Sequence, residues 1–271
     1  MSKVWFVTGT SRGFGHAFAI AALRRGDRVA ATARDTESLK HLAESYGDAV
    51  LPLQLDVTDR AGVGAAVAAA HERFGRLDVV VNNAGYGLFG AVEELSEQQI
   101  RDQMETNFFG ALRVTQAVLP ILRTQGSGHL IQISTTGGIA AFPTLGGYHA
   151  SKWALEGLSE SLAQEVAGFG IKVTLVEPGR FDTDWLGSSA VLADPNPVYE
   201  EVKKAVHAAV SADPVGDPEA ASLALLQIVD AEQPPLRVLF GSSPTHLVKN
   251  LYAQRLQTWA DWEHVSHLAQ G

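Results

Sequence analysis

The chain has 271 residues, 46% hydrophobic and 19% charged, a balance that suits a folded globular protein and excludes a disordered one. Its formal net charge is −9 and it holds no block of Lys or Arg, which argues against nucleic acid or an anionic membrane surface as partner. There is no cysteine, so disulfides, thiolate metal sites and a cysteine nucleophile are excluded.

Met1-Ser2-Lys3 runs straight into Val4-Trp5-Phe6-Val7, a continuous apolar run of the kind needed by a parallel strand buried on both faces. It reads as a first strand and not as a signal peptide, and no stretch approaches the length of a membrane helix, so a cytoplasmic protein is expected. The run enters Thr8-Gly9-Thr10-Ser11-Arg12-Gly13-Phe14-Gly15, followed by a helical stretch over residues 16–25. Glycines let the backbone turn sharply and approach a diphosphate, and the following helix N-terminus favours negative charge. A purely structural turn is the plainer alternative.

The second strand is predicted over residues 28–33. At its end a dinucleotide fold meets the adenosine ribose. Asp35 would suit the ribose of NAD(H). Arg34, together with Arg12, would suit a 2′-phosphate, because two guanidiniums can fork onto its oxygens. The pair favours NADP(H) over NAD(H). A polar helix follows over residues 37–46, then a third strand over residues 50–55 that ends at Asp56-Val57. Asp56 could accept from an adenine amino group or cap a helix, although Thr58 and Asp59 are better placed to cap the alanine-rich helix through Phe74.

The fourth strand, residues 77–81, closes in Asn82-Asn83-Ala84-Gly85. Small residues and side-chain amides at a strand's carboxyl end suit a cofactor crevice, as they also suit an ordinary turn. Ser96 and Gln99 form a capping box for a helix expected to run through Asn107 to about Leu122, with Pro120 as a mild kink signal. The Asn107 amide sits in an apolar segment and must find partners, either as a structural amide or by holding a water in a proton relay. A fifth strand, residues 128–133, ends in Ser134-Thr135-Thr136-Gly137-Gly138, whose hydroxyls are candidates to bond a substrate oxygen or simply to make the turn. The apolar loop 139–143 could wall a pocket.

Tyr148 and Lys152 lie four apart on the next helix and share a face. An ammonium beside a phenol favours the phenolate, and a tyrosine tuned in this way can exchange a proton with a carbonyl or alcohol oxygen. A sixth strand, residues 171–176, leads into Glu177-Pro178-Gly179-Arg180-Phe181-Asp182-Thr183. Residues 184–197 read as a loop and 184–215 as a substrate lid, with Phe142, Trp185 and Leu186 suggesting an apolar pocket. Helices are predicted over 198–211 and 218–230, a seventh strand over 236–240, and an amphipathic helix over 245–262 that carries Trp259 and Trp262 and serves as an interface or as a cover for the sheet. His264 and His267 read as a solvated face, and the sequence shows no metal-ligand set. Alternating strands and helices without a linker or repeat give one α/β domain, 1–271, with a doubly wound, mostly parallel sheet of seven strands flanked by helices.

Taken together, the Thr8–Gly15 turn, Asn82-Asn83-Ala84-Gly85, Asn107, the Thr135 turn, Tyr148/Lys152 and Pro178-Gly179…Thr183 resemble the short-chain dehydrogenase/reductase family over essentially the whole chain. The segment from Tyr148 to Gly157 is most similar to its 17β-hydroxysteroid and retinol dehydrogenase branch. The resemblance implies a Rossmann-type fold, Tyr148 as acid/base, Lys152 as the group that lowers its pKa and binds the nicotinamide ribose, and Asn107 as the holder of a relay water. It also implies Asn83, Ala84, Gly85, Pro178, Gly179, Phe181 and Thr183 beside the cofactor, with Gly9, Ser11, Arg12, Gly13, Phe14, Gly15, Arg34, Asp56 and Val57. The substrate-orienting hydroxyl falls on Thr135 where the family usually has serine, with Ser134 as the alternative. The expected activity is NADP(H)-dependent interconversion of a hydrophobic ketone or aldehyde and its alcohol, in a homo-oligomer, dimer or tetramer. A non-catalytic NADP(H) sensor, or an enzyme of a sugar or an acyl-carrier substrate, are the rival readings.

Overall fold

The computed structural model describes residues 2–187 and 189–271. Strand β1 (Val4–Val7) is followed by α1 (Gly13–Arg24), β2 (Arg28–Ala33), α2 (Lys40–Tyr46), β3 (Val50–Gln54), α3 (Arg60–Phe74) and β4 (Val79–Asn82). Next come β5 (Leu88–Phe89), α4 (Glu97–Met104), α5 (Ala111–Gln125), β6 (Gly128–Ile133), α6 (Gly146–Val166) and β7 (Ile171–Pro178). The chain ends with β8 (Val191–Leu192), α7 (Glu200–Ala212), α8 (Pro218–Asp230), β9 (Arg237–Phe240), α9 (Ser242–Asp261) and α10 (Glu263–Gln270).

Seven strands form one parallel sheet in the order β3-β2-β1-β4-β6-β7-β9. Successive side chains of a strand point to opposite faces, and β1 shows why it had to be apolar throughout. Trp5 and Val7 pack with Phe18 of α1 and Leu225 of α8 on one face. Val4 and Phe6 pack with Val63 and Val67 of α3 and Val114 and Val118 of α5 on the other. Each such fully buried side chain contributes about 1.5–3 kcal/mol. The order reverses at β1, with β2 on one side and β4 on the other, and ligands of open α/β sheets bind outside the carboxyl ends of strands at such a switch point.

Local signals account for several element ends. Asp59 caps α3 through the Ala61 N–H, and Gly75 stops it with a left-handed φ of 76°. Ser96 and Gln99 form the expected capping box of α4. Asp35 caps a 3-10 turn, Thr36–Leu39, so the predicted helix over 37–46 is a 3-10 turn joined to α2. The helix expected to pass straight through Asn107 is interrupted there by a π-helical turn, Glu105–Gly110. Such turns occur mostly as single insertions in α-helices and often at functional sites.

Two differences bear on the site. The loop expected over 184–197 contains β8, which pairs in parallel with β5 and so fastens the start of the lid across the cleft. The carboxyl-terminal helix does not cover the sheet: within α9 only Pro244 is buried, and Leu256, Trp259 and Trp262 are exposed. Among the described residues no helix is long and apolar enough to cross a membrane.

Candidate active site

A cleft of about 1110 Å³ opens at the carboxyl ends of the strands and runs from Arg34 to Tyr148. At one end lies the glycine turn. Gly9 adopts a left-handed φ of 69°, a conformation glycine reaches without a steric penalty. A Cβ on Gly15 would meet the Gly9 carbonyl oxygen and would sit 2.5 Å from Asn83 Nδ2. Asn83 braces this close approach by donating from Nδ2 to the carbonyls of Thr8 (2.9 Å) and Gly9 (3.1 Å). The Thr8 hydroxyl in turn accepts from the backbone N–H groups of Asn83 (2.9 Å) and Ala84 (3.0 Å). The amide at the end of β4 therefore holds the turn that follows β1. Ser11, Gly13 and Phe14 line the cleft beside it.

Arg34 apart, the charged groups nearby have partners of their own. Arg12 forms an ion pair with Asp184, 3.0 Å apart. Arg34 is exposed at the cleft, and among the described residues its guanidinium makes no ion pair. Asp35, the rival ribose ligand, is turned to the Glu37 N–H as a cap. Asp56 lines the cleft while its carboxylate accepts from the backbone N–H (2.9 Å) and hydroxyl (2.7 Å) of Thr58. Val57 is buried at the cleft wall.

At the other end stands Tyr148 in the first turn of α6, buried to 7% exposure. Burial pushes its phenol well above the usual tyrosine value, with the Thr135 hydroxyl and Trp185 indole drawing it partly back; this is opposite to the lowering expected from Lys152, whose Nζ lies 6.0 Å from the ring centroid. Thr135 Oγ1 donates to the Pro178 carbonyl (3.3 Å) and accepts from the Gly137 N–H (3.2 Å), and it lines the cleft with Tyr148. Ser134 is buried with its hydroxyl against Gly138, where a Cβ would meet it. Ser134 and Thr135 both line the cleft with Tyr148, and adjacent residues at a strand end face opposite ways.

Lys152 is buried one turn along, its Nζ donating to the Ile133 carbonyl at 2.7 Å and lying 6.0 Å from the Tyr148 ring centroid. Burial lowers its pKa to about 8, against the opposing pull of Glu156. Asn107 occupies the π-helical turn. Its amide donates to the Tyr86 carbonyl (3.0 Å) and Ser151 Oγ (3.1 Å), and its Oδ1 accepts from the Tyr86 N–H (3.1 Å). A Cβ on Gly85 would lie 2.9 Å from Asn107 Oδ1 and 3.7 Å from Lys152 Nζ, so the missing side chain is what lets these two groups converge on the cleft.

Pro178, Gly179, Phe181 and Thr183 line the middle of the cleft. The Phe181 ring packs edge-on to Phe14, centroids 5.0 Å apart, and the Thr183 Cβ lies close to Gly13. Trp185 covers Tyr148, with ring centroids 5.1 Å apart, and touches Phe89 of β5 at 4.9 Å. Phe142 lines the mouth against His149. Ser188 of the expected lid, and the Leu186 side chain, lie outside the described part of the structure.

His149 is a cleft residue that the sequence reading passed over. Its Nδ1 accepts from the Phe142 N–H (3.3 Å), and burial lowers its pKa to about 4, so it stands neutral beside Tyr148. Only its adjacency to Tyr148 could have pointed to it. No group of three His, Asp or Glu residues suited to a metal occurs among the described residues. The cradle fits a nicotinamide dinucleotide: a braced glycine turn at one end, cationic Arg34 at the mouth, and a buried Tyr–Lys pair at the far end with a side-chain-free Gly85 between.

Comparison with known proteins agrees with this geometry. Residues 3–190 match the family model for short chain dehydrogenases. The chain is 46% identical over 245 residues to Oxidoreductase BOA17 of Botryotinia fuckeliana, covering 89% of each protein. A crystal structure of a short-chain dehydrogenase from Streptomyces avermitilis superposes with a TM-score of 0.92 at 42% identity, over 98% of each chain. An alcohol dehydrogenase from Thermococcus sibiricus complexed with 5-hydroxy-NADP superposes with a TM-score of 0.75 at 28% identity, over 89% of this chain and 96% of that one.

Proposed function

Because the chain belongs to the short-chain dehydrogenase family, a family of oxidoreductases that use a nicotinamide cofactor, we propose that it interconverts a hydrophobic ketone or aldehyde and its alcohol with NADP(H) in preference to NAD(H). The observation that carries the proposal is the buried Tyr148 phenol, which lines the cleft with Thr135 and Lys152 under an apolar cover from Trp185.

In this reading Gly9, Ser11, Gly13 and the amino end of α1 receive the diphosphate, since N–H groups and the helix dipole favour an anion there. Arg34 and Arg12 take the 2′-phosphate, and Asp56 and Val57 bound the adenine. Lys152 and Tyr148 hold the nicotinamide ribose, and Pro178, Gly179 and Thr183 border the carboxamide. When bound, NADP(H) supplies or accepts the hydride. Tyr148 donates a proton to the substrate oxygen in reduction and takes it back in oxidation. Burial keeps the phenol protonated until that oxygen is beside it, which suits a proton donor. Thr135 bonds the same oxygen and fixes its position. Asn107, held by Tyr86 and Ser151, holds a water of a proton relay. Trp185 and Phe142 exclude water and favour an apolar substrate.

A homo-oligomer and a cytoplasmic location belong to the same reading. The exposed Trp259 and Trp262 support a contact between copies, which sedimentation would detect.

The test is a panel of apolar ketones and aldehydes followed by NADPH absorbance. Turnover is expected with at least one, and Tyr148→Phe should lower it by roughly 10²–10⁴-fold, the range of a lost general acid, while NADPH still binds. Binding without turnover across the panel would replace this reading with that of an NADP(H) sensor.

A further inference from the structure

Behind Lys152, outside the cleft, lies a buried acidic cluster that the reaction above does not use. Glu156 follows Lys152 by one helical turn and is 4% exposed; Glu177, at the end of β7, is 2% exposed. Arg237 of β9 bridges them. Its Nε donates to Glu156 Oε2 at 2.9 Å and lies 3.6 Å from Glu177 Oε1, while its Nη2 donates to Glu160 at 2.8 Å. One guanidinium thus serves three carboxyl groups, two of them buried. Gly138 lets the cluster reach the active-site turn, because a Cβ there would lie 3.2 Å from Glu156 Oε1.

A buried ammonium needs a compensating charge. The Lys152 Nζ has a neutral carbonyl, Ile133 O, as its hydrogen-bond partner. The charged and titratable groups around it are Tyr148, Glu156 and Glu160 on α6, Glu177 on β7 and Arg237 on β9. Glu156 lies four residues from Lys152 on α6, buried on the same helix face, and acts on it through its charge; burial raises the Glu156 pKa, and Ser134, Arg237 and Lys152 draw it back. Glu177 is raised to about 8 by burial and by Glu156, so near neutral pH it keeps its proton. At close range Glu156 and Glu160 share the Arg237 guanidinium; among the described residues no ion pair joins Glu156 to Lys152, so its charge reaches the ammonium across one helical turn.

We propose that Glu156 is a positioning residue for Lys152: a carboxylate one turn behind the ammonium, clamped by Arg237, that keeps the lysine charged and available to the cleft. This rests on the reading of Lys152 as the partner of Tyr148 and of the cofactor ribose. Glu177 serves as the neutral neighbour that leaves the Glu156 charge to Lys152.

The experiment compares the wild type with Glu156→Gln, Glu156→Asp and Glu177→Gln, each checked by thermal melting. NADPH binding by fluorescence and carbonyl reduction are measured against pH. In the wild type both should fail on an alkaline limb near the Lys152 value of about 8. Glu156→Gln should move that limb acidward by roughly one unit or more, the size of a lost neighbouring charge. Glu156→Asp should restore part of the shift, and Glu177→Gln should leave the limb in place. Without cofactor, infrared spectroscopy should show a protonated carboxyl that Glu177→Gln removes and that titrates at lower pH in Glu156→Gln. An alkaline limb unchanged in Glu156→Gln, with only a lower melting temperature, would overturn the proposal; so would an equal shift in Glu177→Gln. A shifted binding limb with no carbonyl reduced would sustain the Glu156 role and reject the proposed reaction.

Discussion

The Arg12 guanidinium sits 3.0 Å from the Asp184 carboxylate and ties the glycine turn to the first turn of the lid. Both side chains are partly exposed, so the pair contributes no more than about 1 kcal/mol to stability. Asp184 also accepts from Ser189 Oγ at 2.9 Å. Arg12 is one of the two guanidiniums proposed to read a 2′-phosphate, and Asp184 is a competing anion beside it. Asp184→Asn is therefore expected to tighten NADPH binding about two- to fivefold and to leave NADH unchanged in fluorescence titrations at fixed ionic strength. An equal effect on both nucleotides would assign the pair to lid closure alone.

Arg34 makes no ion pair among the described residues and stands exposed at the cleft. A phosphate there would gain charge-assisted hydrogen bonds of about 1.5–3 kcal/mol. Arg34→Ala should raise the NADPH dissociation constant roughly 10- to 100-fold and change that of NADH less than about twofold. Parallel losses for the two nucleotides would remove the basis for the NADP(H) preference.

Thr135 and Ser134 can be told apart by turnover. Thr135→Ala should lower kcat/KM by about 100-fold, the cost of losing a group that positions a reacting oxygen, and Thr135→Ser should recover most of it because the hydroxyl remains. Ser134→Ala, altering a hydroxyl packed against Gly138, should cost less than about fivefold. A larger loss at Ser134 would reverse the assignment.

His129 makes stability pH-dependent. Its Nε2 lies 3.0 Å from Thr174 Oγ1, and burial together with Lys172 and Lys3 holds its pKa at about 3. An unfolded histidine protonates near ~6.5. Between those values the unfolded chain binds the proton and the folded chain does not. The stability is therefore present above the unfolded value and is lost as pH falls toward the folded one. Urea midpoints should drop between about pH 7 and 4, and His129→Gln should flatten the drop by on the order of 1–4 kcal/mol. Carboxylates steepen the acid limb in both proteins, so the difference between the two slopes is the measurement, and identical slopes would reject the assignment.

Most of the architecture was readable from local patterns. Buried parallel strands are apolar along their whole length, as Val4–Val7 is, and caps such as Asp59 and Ser96 act within one turn of the chain. The β5–β8 ribbon was not readable, because strands of two residues carry no periodicity. The π-helical turn at Asn107 left no mark in composition either. Within it Asn107 bonds Tyr86 and Ser151, residues distant in the chain. The paired arginines were visible as residues, yet the Asp184 partner of Arg12 was not, since it depends on how the lid folds back.

The sequence by itself determined the order of strands and helices, the glycine turn and the Tyr148–Lys152 spacing. Each depends on residues within a few turns of one another. Tertiary structure decided what holds the Thr135 hydroxyl, what covers Tyr148, and what clamps Glu156. Thr135 is aimed by its bond to Pro178, Trp185 is carried in by the lid, and Glu156 is clamped by Arg237 from the far edge of the sheet. Those contacts join segments distant in the chain. Residue type records that a hydroxyl or a charge is present, but only packing fixes the side it faces and the group it meets.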